Sequence, residues 1–374
     1  MKILFACGGT AGHINPALAV AGTIRQKHPG AEILFAGNPG GMEARLVPQA
    51  GFDFTPIRVK GFQRKLSWYN IKNNVMAVAY LTTAPSRARK ILEEFRPDVV
   101  MGTGGYVSGP VVREAARCGY KTLTHEQNAF PGVTTKLLAR RVDKVLLAVP
   151  KAKDYLDPQG EYIVTGNPIR EEILFADRNK AREELGVGDK ICILSFGGSL
   201  GARRVNEAVA DLIAHHAKTG KFHHIHATGS YGVELLPELL REKGILDWKQ
   251  IPHLDIREYI NDMPRCLAAA DLVICRAGAI TLSELEAAGK ASVLIPSPNV
   301  AENHQYHNAM VLQNAQAAVV LEEKNLTGKS LCEVFDRLCA DPEELRRLGK
   351  NAASLAIADA NERIYREIMD LCGA

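Results

Sequence analysis

The chain has 374 residues, enough for two ordinary domains with separate cores, and its 46% hydrophobic and 24% charged content is that of a soluble globular protein. The net charge of +4 is uneven: residues 1–165 hold 22 lysines and arginines against 12 acids, residues 166–374 hold 24 against 30, which points to one domain that meets an anionic surface. The eight cysteines show neither a Cys-x-x-Cys pair nor metal-ligand spacing, Met1-Lys2 runs directly into an apolar stretch without room for a signal peptide, and no eighteen-residue apolar run occurs; a disulfide scaffold, a zinc module, a secreted precursor and a membrane-spanning chain are disfavoured, and a reducing cytoplasm is expected.

Lys2–Cys7 reads as a short strand, and Pro16, Leu18, Ala19 and Ala21 open a helical pattern with proline near its first turn. Between them lies Gly8-Gly9-Thr10-Ala11-Gly12-His13. Strand, glycine loop and helix start together present backbone N–H groups and the positive end of a helix dipole, which suits an anion such as a diphosphate, with His13 beside it. A tight turn in any α/β domain looks similar. The dinucleotide fingerprint is not met: Thr10 stands where Gly-x-Gly-x-x-Gly needs its second glycine, and the second strand, 31–36, runs into Gly37-Asn38 where an acid should hold the ribose. An NAD-dependent dehydrogenase is therefore disfavoured.

Residues 54–92 carry Arg58, Lys60, Arg64, Lys65, Lys72, Arg87, Arg89 and Lys90 without one acid, and Trp68, Ile71, Val75, Val78 and Leu81 recur at helical spacing. Such a face fits anionic lipid, and it equally fits a helix packed on its own core; no nucleic-acid-binding motif accompanies the charge. The strand at 98–101 ends in Gly102-Thr103-Gly104-Gly105-Tyr106, a second glycine loop at the sheet edge where open α/β folds bind ligands. The strand at 121–124 brings His125-Glu126-Gln127-Asn128 to the same edge as a polar loop. Strands at 145–149 and 162–165 close this half, and Gly166-Asn167-Pro168, followed by Arg170, reads as a link between domains.

The second half opens as the first does: Ile191–Phe196 runs into Gly197-Gly198-Ser199-Leu200-Gly201-Ala202-Arg203 and a helix. The repeat predicts two similar domains with their glycine loops facing across a cleft. A strand at 222–228 sends neighbouring histidines to opposite faces, so His215, His216, His223, His224 and His226 read as packed or solvated and not as a metal site. Leu272–Cys275 leads to Arg276-Ala277-Gly278-Ala279 and a helix from about Thr281, with Glu284 in its first turn; the dipole alone favours an acid there, and the hydroxyls of a nucleotide ribose would give it a second use. Polar residues from Glu302 to Asn308 cluster after the strand at 292–295, a strand at 317–321 closes the sheet, and 342–372 reads as helical, able to cross back to the first domain.

In order, Gly8 to His13, Gly104 to Pro110, His125 to Asn128, Gly166 to Arg170, Gly197 to Ala202 and Arg276 to Glu284 resemble the signatures of the MurG-type glycosyltransferases of peptidoglycan synthesis, over nearly the whole chain. The resemblance implies an α/β GT-B fold: two facing Rossmann-like domains with parallel sheets and a cleft between them. It implies an acceptor- and membrane-facing domain at 1–168, a UDP-sugar donor domain at 169–354, and a helix at about 355–374 packed back on the first. The implied reaction is inverting transfer of N-acetylglucosamine from UDP-N-acetylglucosamine to lipid I, undecaprenyl-diphospho-muramoyl-pentapeptide, giving lipid II, by a peripheral protein on the anionic cytoplasmic face of the bacterial membrane. No cofactor, metal or nucleic acid is implied, and the chain has no Asp-x-Asp.

Carried over by position, the donor site would use Thr10, Ala11 and Gly12, Asn128 and Gln305 on the sugar, and Arg170 and Ser199 near the diphosphate. Main chain at Ile260 would meet uracil, the turn through Ala279, Ile280, Thr281, Leu282 and Ser283 would meet phosphate and sugar, and Glu284 would hold the ribose. The acceptor would pass Tyr106 and Glu126. His13 is the expected general base, with Glu126 as its rival. Ala11 replaces a glycine of the family pattern and would be strained there if that position requires a positive φ. A UDP-N-acetylglucosamine 2-epimerase, a diacylglycerol-using glycolipid synthase and a non-catalytic nucleotide-sugar binding subunit are the alternatives.

Overall fold

The computed structural model describes residues 1–59 and 68–373, and the side chains of these apart from 68–79 and 81. Lys60, Arg64 and Lys65 of the basic segment, and the side chains of Trp68, Ile71, Lys72, Val75, Val78 and Leu81, therefore lie outside the described residues. The chain divides into two compact units, Met1–Ile169 with Asp359–Ala374, and Arg170–Ala358.

In the first unit, strands β1 (Lys2–Cys7), β2 (Glu32–Gly37), β3 (Asp53–Pro56), β4 (Val99–Gly104), β5 (Lys121–Glu126), β6 (Lys144–Leu147) and β7 (Tyr162–Val164) form one parallel sheet in the order β3-β2-β1-β4-β5-β6-β7. Helices α1 (Ala11–Lys27), α2 (Glu43–Gln49), α3 (Trp68–Phe95), α4 (Gly105–Arg117) and α5 (Val133–Leu138) connect them. A parallel sheet is covered on both faces, which is why β1 is apolar and buried from Ile3 to Cys7. Ile3 and Phe5 pack with Ile14, Val20 and Ile24 of α1, while Leu4 and Ala6 pack with Ala84 and Ala88 of α3 and Val111 of α4. The helix α1 begins at Ala11, earlier than its proline suggested, and Pro16 lies inside it.

The second unit holds α6 (Glu171–Leu174), α7 (Arg178–Glu184), β8 (Ile191–Phe196), α8 (Arg203–His216), β9 (Phe222–Ala227), α9 (Leu235–Glu242), β10 (Leu254–Arg257), α10 (Met263–Ala269) and β11 (Leu272–Cys275). It continues with α11 (Ala279–Ala287), β12 (Ala291–Leu294), α12 (His304–Asn314), β13 (Val319–Val320), α13 (Gly328–Ala340) and α14 (Pro342–Leu355). Its sheet is again parallel, in the order β10-β9-β8-β11-β12-β13. The predicted helix at 342–372 is two: the chain is non-helical between Leu355 and α15 (Ala360–Cys372). The latter belongs to the first unit, where Ile364 and Ile368 join the α1 side of the core and Glu367 pairs with Lys144 at 2.6 Å. In both sheets the strand order reverses beside the first strand, between β1 and β4 and between β8 and β11. Loops leaving the carboxyl ends there diverge and open a crevice.

The histidines of β9 are interior groups. His224 and His226 share a face and are bridged by Ser195 of β8, and His216 of α8 meets His224 directly at 2.8 Å, all almost fully buried. Asn206 Nδ2 donates to the Thr228 carbonyl, so its Oδ1 is the atom facing His226 Nε2. The hydrogens then run one way: His226 to Asn206, Ser195 to His226, His224 to Ser195, and His216 to His224. Burial pushes His216 and His226 down to about 4 and His224 well below its ordinary value.

These imidazoles bind protons more readily in the unfolded chain, so unfolding takes up protons between about pH 4 and 6.5 and stability falls as pH drops through that window. Burial moves His125 and His223 the same way. Glu284 and Glu286, raised by burial, the latter to about 8, act with opposite sign, so five imidazoles oppose two carboxyls. Urea unfolding is expected to show lower stability at about pH 5 than at about pH 6.5. Equal stability at the two would contradict a neutral histidine chain.

Candidate active site

At the reversal in the first sheet, the loops after β1 and β4 meet backbone to backbone. Gly105 has φ +79, and a Cβ there would strike the Gly8 carbonyl oxygen; Gly104 has φ +106, and a Cβ there would enter the His13 ring. Only glycine permits both the dihedrals and the contact. The positive φ of the first loop falls on Gly9, at +87, while Ala11 is the first residue of α1 and is not among the positive-φ positions, so alanine is unstrained there. Thr10 and Gly12 are exposed at the same helix start.

Glu43 of α2, which the sequence reading did not single out, holds this loop from beneath. Its carboxylate is 1% exposed and accepts from Gly9 N–H at 3.2 Å and Asn38 N–H at 2.9 Å. An acid beside Gly40-Gly41 was the one local signal, and its partner lies 34 residues upstream.

The polar run at 125–128 is not a solvated loop. His125 and Glu126 end β5, and His125, Glu126 and Gln127 are all buried. His13 Nδ1 lies 3.2 Å from Gln127 Oε1, Gln127 Nε2 lies 3.0 Å from His125 Nδ1, and His125 Nε2 lies 2.9 Å from the Gly166 carbonyl. Burial, against a smaller pull from the Gly166 bond, holds His125 below its ordinary value. Glu126 Oε1 accepts from the Asn128 backbone and side chain, each at 3.0 Å, and Oε2 accepts from Gly132 N–H at 2.9 Å and Thr135 Oγ1 at 2.5 Å. Four bonds on a 4% exposed carboxylate make it a staple for the 128–135 turn. Tyr106, by contrast, is 59% exposed on α4.

At the reversal in the second sheet lies a pocket of about 420 Å³. Gly198 and Arg203 line it at the start of α8, Gly278 and Thr281 at the start of α11, and Arg276 and Gln305 beside them. Two helix N-termini and the side chains of Arg203, Arg204 and Arg276 line it, with the guanidinium groups paired to acids: Arg203 at 2.9 Å and Arg204 at 3.3 Å to Glu207, and Arg276 to Glu323. Gln305 Oε1 accepts from Ser297 N–H at 2.9 Å, which assigns Nε2 as its other end.

Glu284 sits in the second turn of α11, since the helix starts at Ala279; the dipole explanation for its position therefore fails. Instead Glu284 Oε1 accepts from Arg170 Nε at 2.9 Å and Nη2 at 2.8 Å. Burial raises its carboxyl and Arg170 opposes that. Arg170, Glu284 and Ser199 do not line the pocket; Ser199 is exposed in the glycine loop, and Ile260 is buried after β10 in the same apolar cluster as Leu282. Within the units, then, His13 is brought to Gln127, Glu126 to Asn128, Arg170 to Glu284, and Thr281 to Gln305.

Residues 3–147 match the N-terminal domain of glycosyltransferase family 28, and residues 192–364 match the C-terminal domain of the same family. The chain is 46% identical over 372 residues to the UDP-N-acetylglucosamine–N-acetylmuramyl-(pentapeptide) pyrophosphoryl-undecaprenol N-acetylglucosamine transferase of Acetivibrio thermocellus, covering 99% of this chain and 98% of that protein. A protein of the same name from Ruminiclostridium cellulolyticum is 41% identical, covering 99% and 100%. The crystal structure of Acinetobacter baumannii MurG superposes with a TM-score of 0.78 at 29% identity, over 99% of each chain.

Replacing Glu43 by Ala removes the carboxylate that joins the Gly9 N–H in the loop after β1 to the Asn38 N–H after β2. Bonds to a charged group contribute roughly 1.5 to 3 kcal/mol each in net terms. A loss of about that size for the pair is expected in the unfolding free energy of Glu43→Ala by urea titration; a change below about 0.5 kcal/mol would contradict the role given to this carboxylate.

Proposed function

The chain belongs to glycosyltransferase family 28, in its MurG-type branch, and we infer that it carries out the transfer named in its relatives. It moves N-acetylglucosamine from UDP-N-acetylglucosamine to lipid I and forms lipid II in peptidoglycan synthesis. The observation that carries the donor reading is the pocket at the second sheet's reversal, lined by two helix N-termini and by Arg203, Arg204 and Arg276. Negative charge grows on the diphosphate as the bond to the anomeric carbon breaks, and fixed dipoles with arginines stabilise it without reorganising.

In this reading the turn from Ala279 to Ser283 and Ser199 hold phosphate, Gln305 and Asn128 hold the sugar, main chain at Ile260 meets uracil, and Thr10, Ala11 and Gly12 complete the donor contacts. Glu284, oriented by Arg170 through Oε1, takes the ribose hydroxyls through Oε2. The four bonds on Glu126 favour His13 as the base: His13 takes the acceptor hydroxyl proton while that oxygen displaces UDP from the opposite face, with inversion. Tyr106, exposed beside these groups, is read as an acceptor contact.

Among the described residues no helix is long and apolar enough to cross a membrane. The acid-free basic segment at 54–92 is the part we assign to anionic lipid, and its charge supports a peripheral protein on the cytoplasmic face. Exposed Arg58 and Arg87 support it, whereas Arg89 is engaged by Glu114 at 3.3 Å.

Glu284→Ala is expected to weaken UDP binding by roughly 1.5 to 3 kcal/mol, as for hydrogen bonds to a charged group. Calorimetry on the folded variant measures this, and unchanged affinity would remove Glu284 from the ribose site. His13→Ala is expected to lose about 10² to 10⁴ in kcat while its Kd for UDP stays within about twofold. Turnover within about tenfold of wild type would exclude His13 as the base.

A further inference from the structure

We propose that Gln127 and His125 are positioning residues that fix the tautomer of His13, placing its hydrogen on Nδ1 and its lone pair on Nε2, the atom that receives the acceptor's proton. The proposal rests on the reading of His13 as the base.

The chain of bonds can be solved from its far end. The Gly166 carbonyl only accepts, so His125 Nε2, 2.9 Å away, carries a hydrogen. His125 is 1% exposed in the interior, where a charged imidazole is disfavoured, so it is neutral and its Nδ1 holds a lone pair. Gln127 Nε2 lies 3.0 Å from that lone pair and shares its two hydrogens among it and two carbonyl oxygens. Which end of the Gln127 amide is nitrogen is settled independently: the same atom lies 3.0 Å from the Thr103 carbonyl and 3.0 Å from the His125 carbonyl, two oxygens that accept and never donate.

The other end of the amide is therefore a carbonyl oxygen, and it faces His13 Nδ1 at 3.2 Å. An oxygen there accepts, so Nδ1 must carry the hydrogen. A neutral imidazole has one N–H, and the lone pair falls on Nε2.

The surroundings keep this assignment from relaxing. The main-chain carbonyl of Gln127 accepts from Asn167 Nδ2 at 3.1 Å, and the main-chain carbonyl of His13 accepts from Thr103 Oγ1 at 2.7 Å. Gly104 leaves room for the His13 ring, and any side chain there would displace it. Proton balance is simple: the acceptor O–H bond breaks, its electron pair forms the new bond to the anomeric carbon, the proton goes to His13 Nε2, and UDP leaves with the old bond's pair. The resulting imidazolium keeps its Nδ1–H on Gln127 Oε1, so the same contact serves before and after transfer. Without Gln127 the Nε2–H tautomer becomes available, and in that form the ring has no lone pair toward the acceptor.

Nitrogen-15 spectra of histidine-labelled enzyme at about pH 8 test this directly, with His13 assigned by loss of its signals in His13→Ala. The wild type is expected to show protonated Nδ1 and unprotonated Nε2 for His13. In Gln127→Leu the two tautomers should mix, and kcat should fall at least about tenfold, with KM for UDP-N-acetylglucosamine within about twofold. A wild-type His13 protonated on Nε2 would overturn the proposal even if Gln127→Leu failed to fold, as would a Gln127→Leu enzyme with unchanged tautomer and kcat. Should the tautomer depend on Gln127 while His13→Ala stays active, the assignment of His13 as base falls and the bond chain stands.

Discussion

The contact on which the rest depends is backbone against backbone: the Gly8 carbonyl lying where a side chain of residue 105 would be. A parallel sheet whose order reverses sends its loops apart at that point, and the space between them is usable only if main chain replaces side chains there. Gly105 and Gly104 make that replacement, and the ring of His13 occupies part of the space they free. The second unit meets the same demand in its own way. Gly201, at φ +81, sits where a Cβ would strike the Thr228 carbonyl, so the loop before α8 is pressed on the turn after β9. That turn is in turn tied to Asn206 and the buried histidine chain.

Three buried carboxylates show how little of this machinery is free charge. Glu43 ties down the first glycine loop, Glu126 ties down the turn after β5, and Glu284 is held by Arg170. Desolvating an acid is costly unless each oxygen finds a donor. In Glu43 and Glu126 both oxygens have found donors within the protein. In Glu284 the ion pair uses Oε1, and Oε2 is the oxygen assigned to the ligand. Acids of similar appearance in the sequence thus have different uses, and the partner decides which.

Legibility followed the range of the interaction. Short apolar runs ending in glycine, such as Lys2–Cys7 and Ile191–Phe196, were read with their bounds because burial on both faces and the turn after them are local facts. The four-residue strands β3 and β10, at the edges of their sheets, carry too short a pattern to stand out. Glu284 was placed one turn early because nothing local marks Ala279 as the helix start. The His125-to-Gln127 run was read as a loop because polar side chains usually are solvated; its partners, His13 and Gly166, lie 114 and 41 residues away from Gln127 and His125. No window along the chain contains such pairs, and only the resemblance to a family linked these segments before the fold did.

Transfer between the two substrates is read out by turnover of the purified chain. The enzyme would be given UDP-N-acetylglucosamine with and without a short-chain lipid I analogue, following UDP release and the product's anomeric linkage together. UDP release is expected to require the acceptor and to match, one to one, a β-linked disaccharide product. UDP release without acceptor, or epimerised sugar in place of a disaccharide, would contradict it.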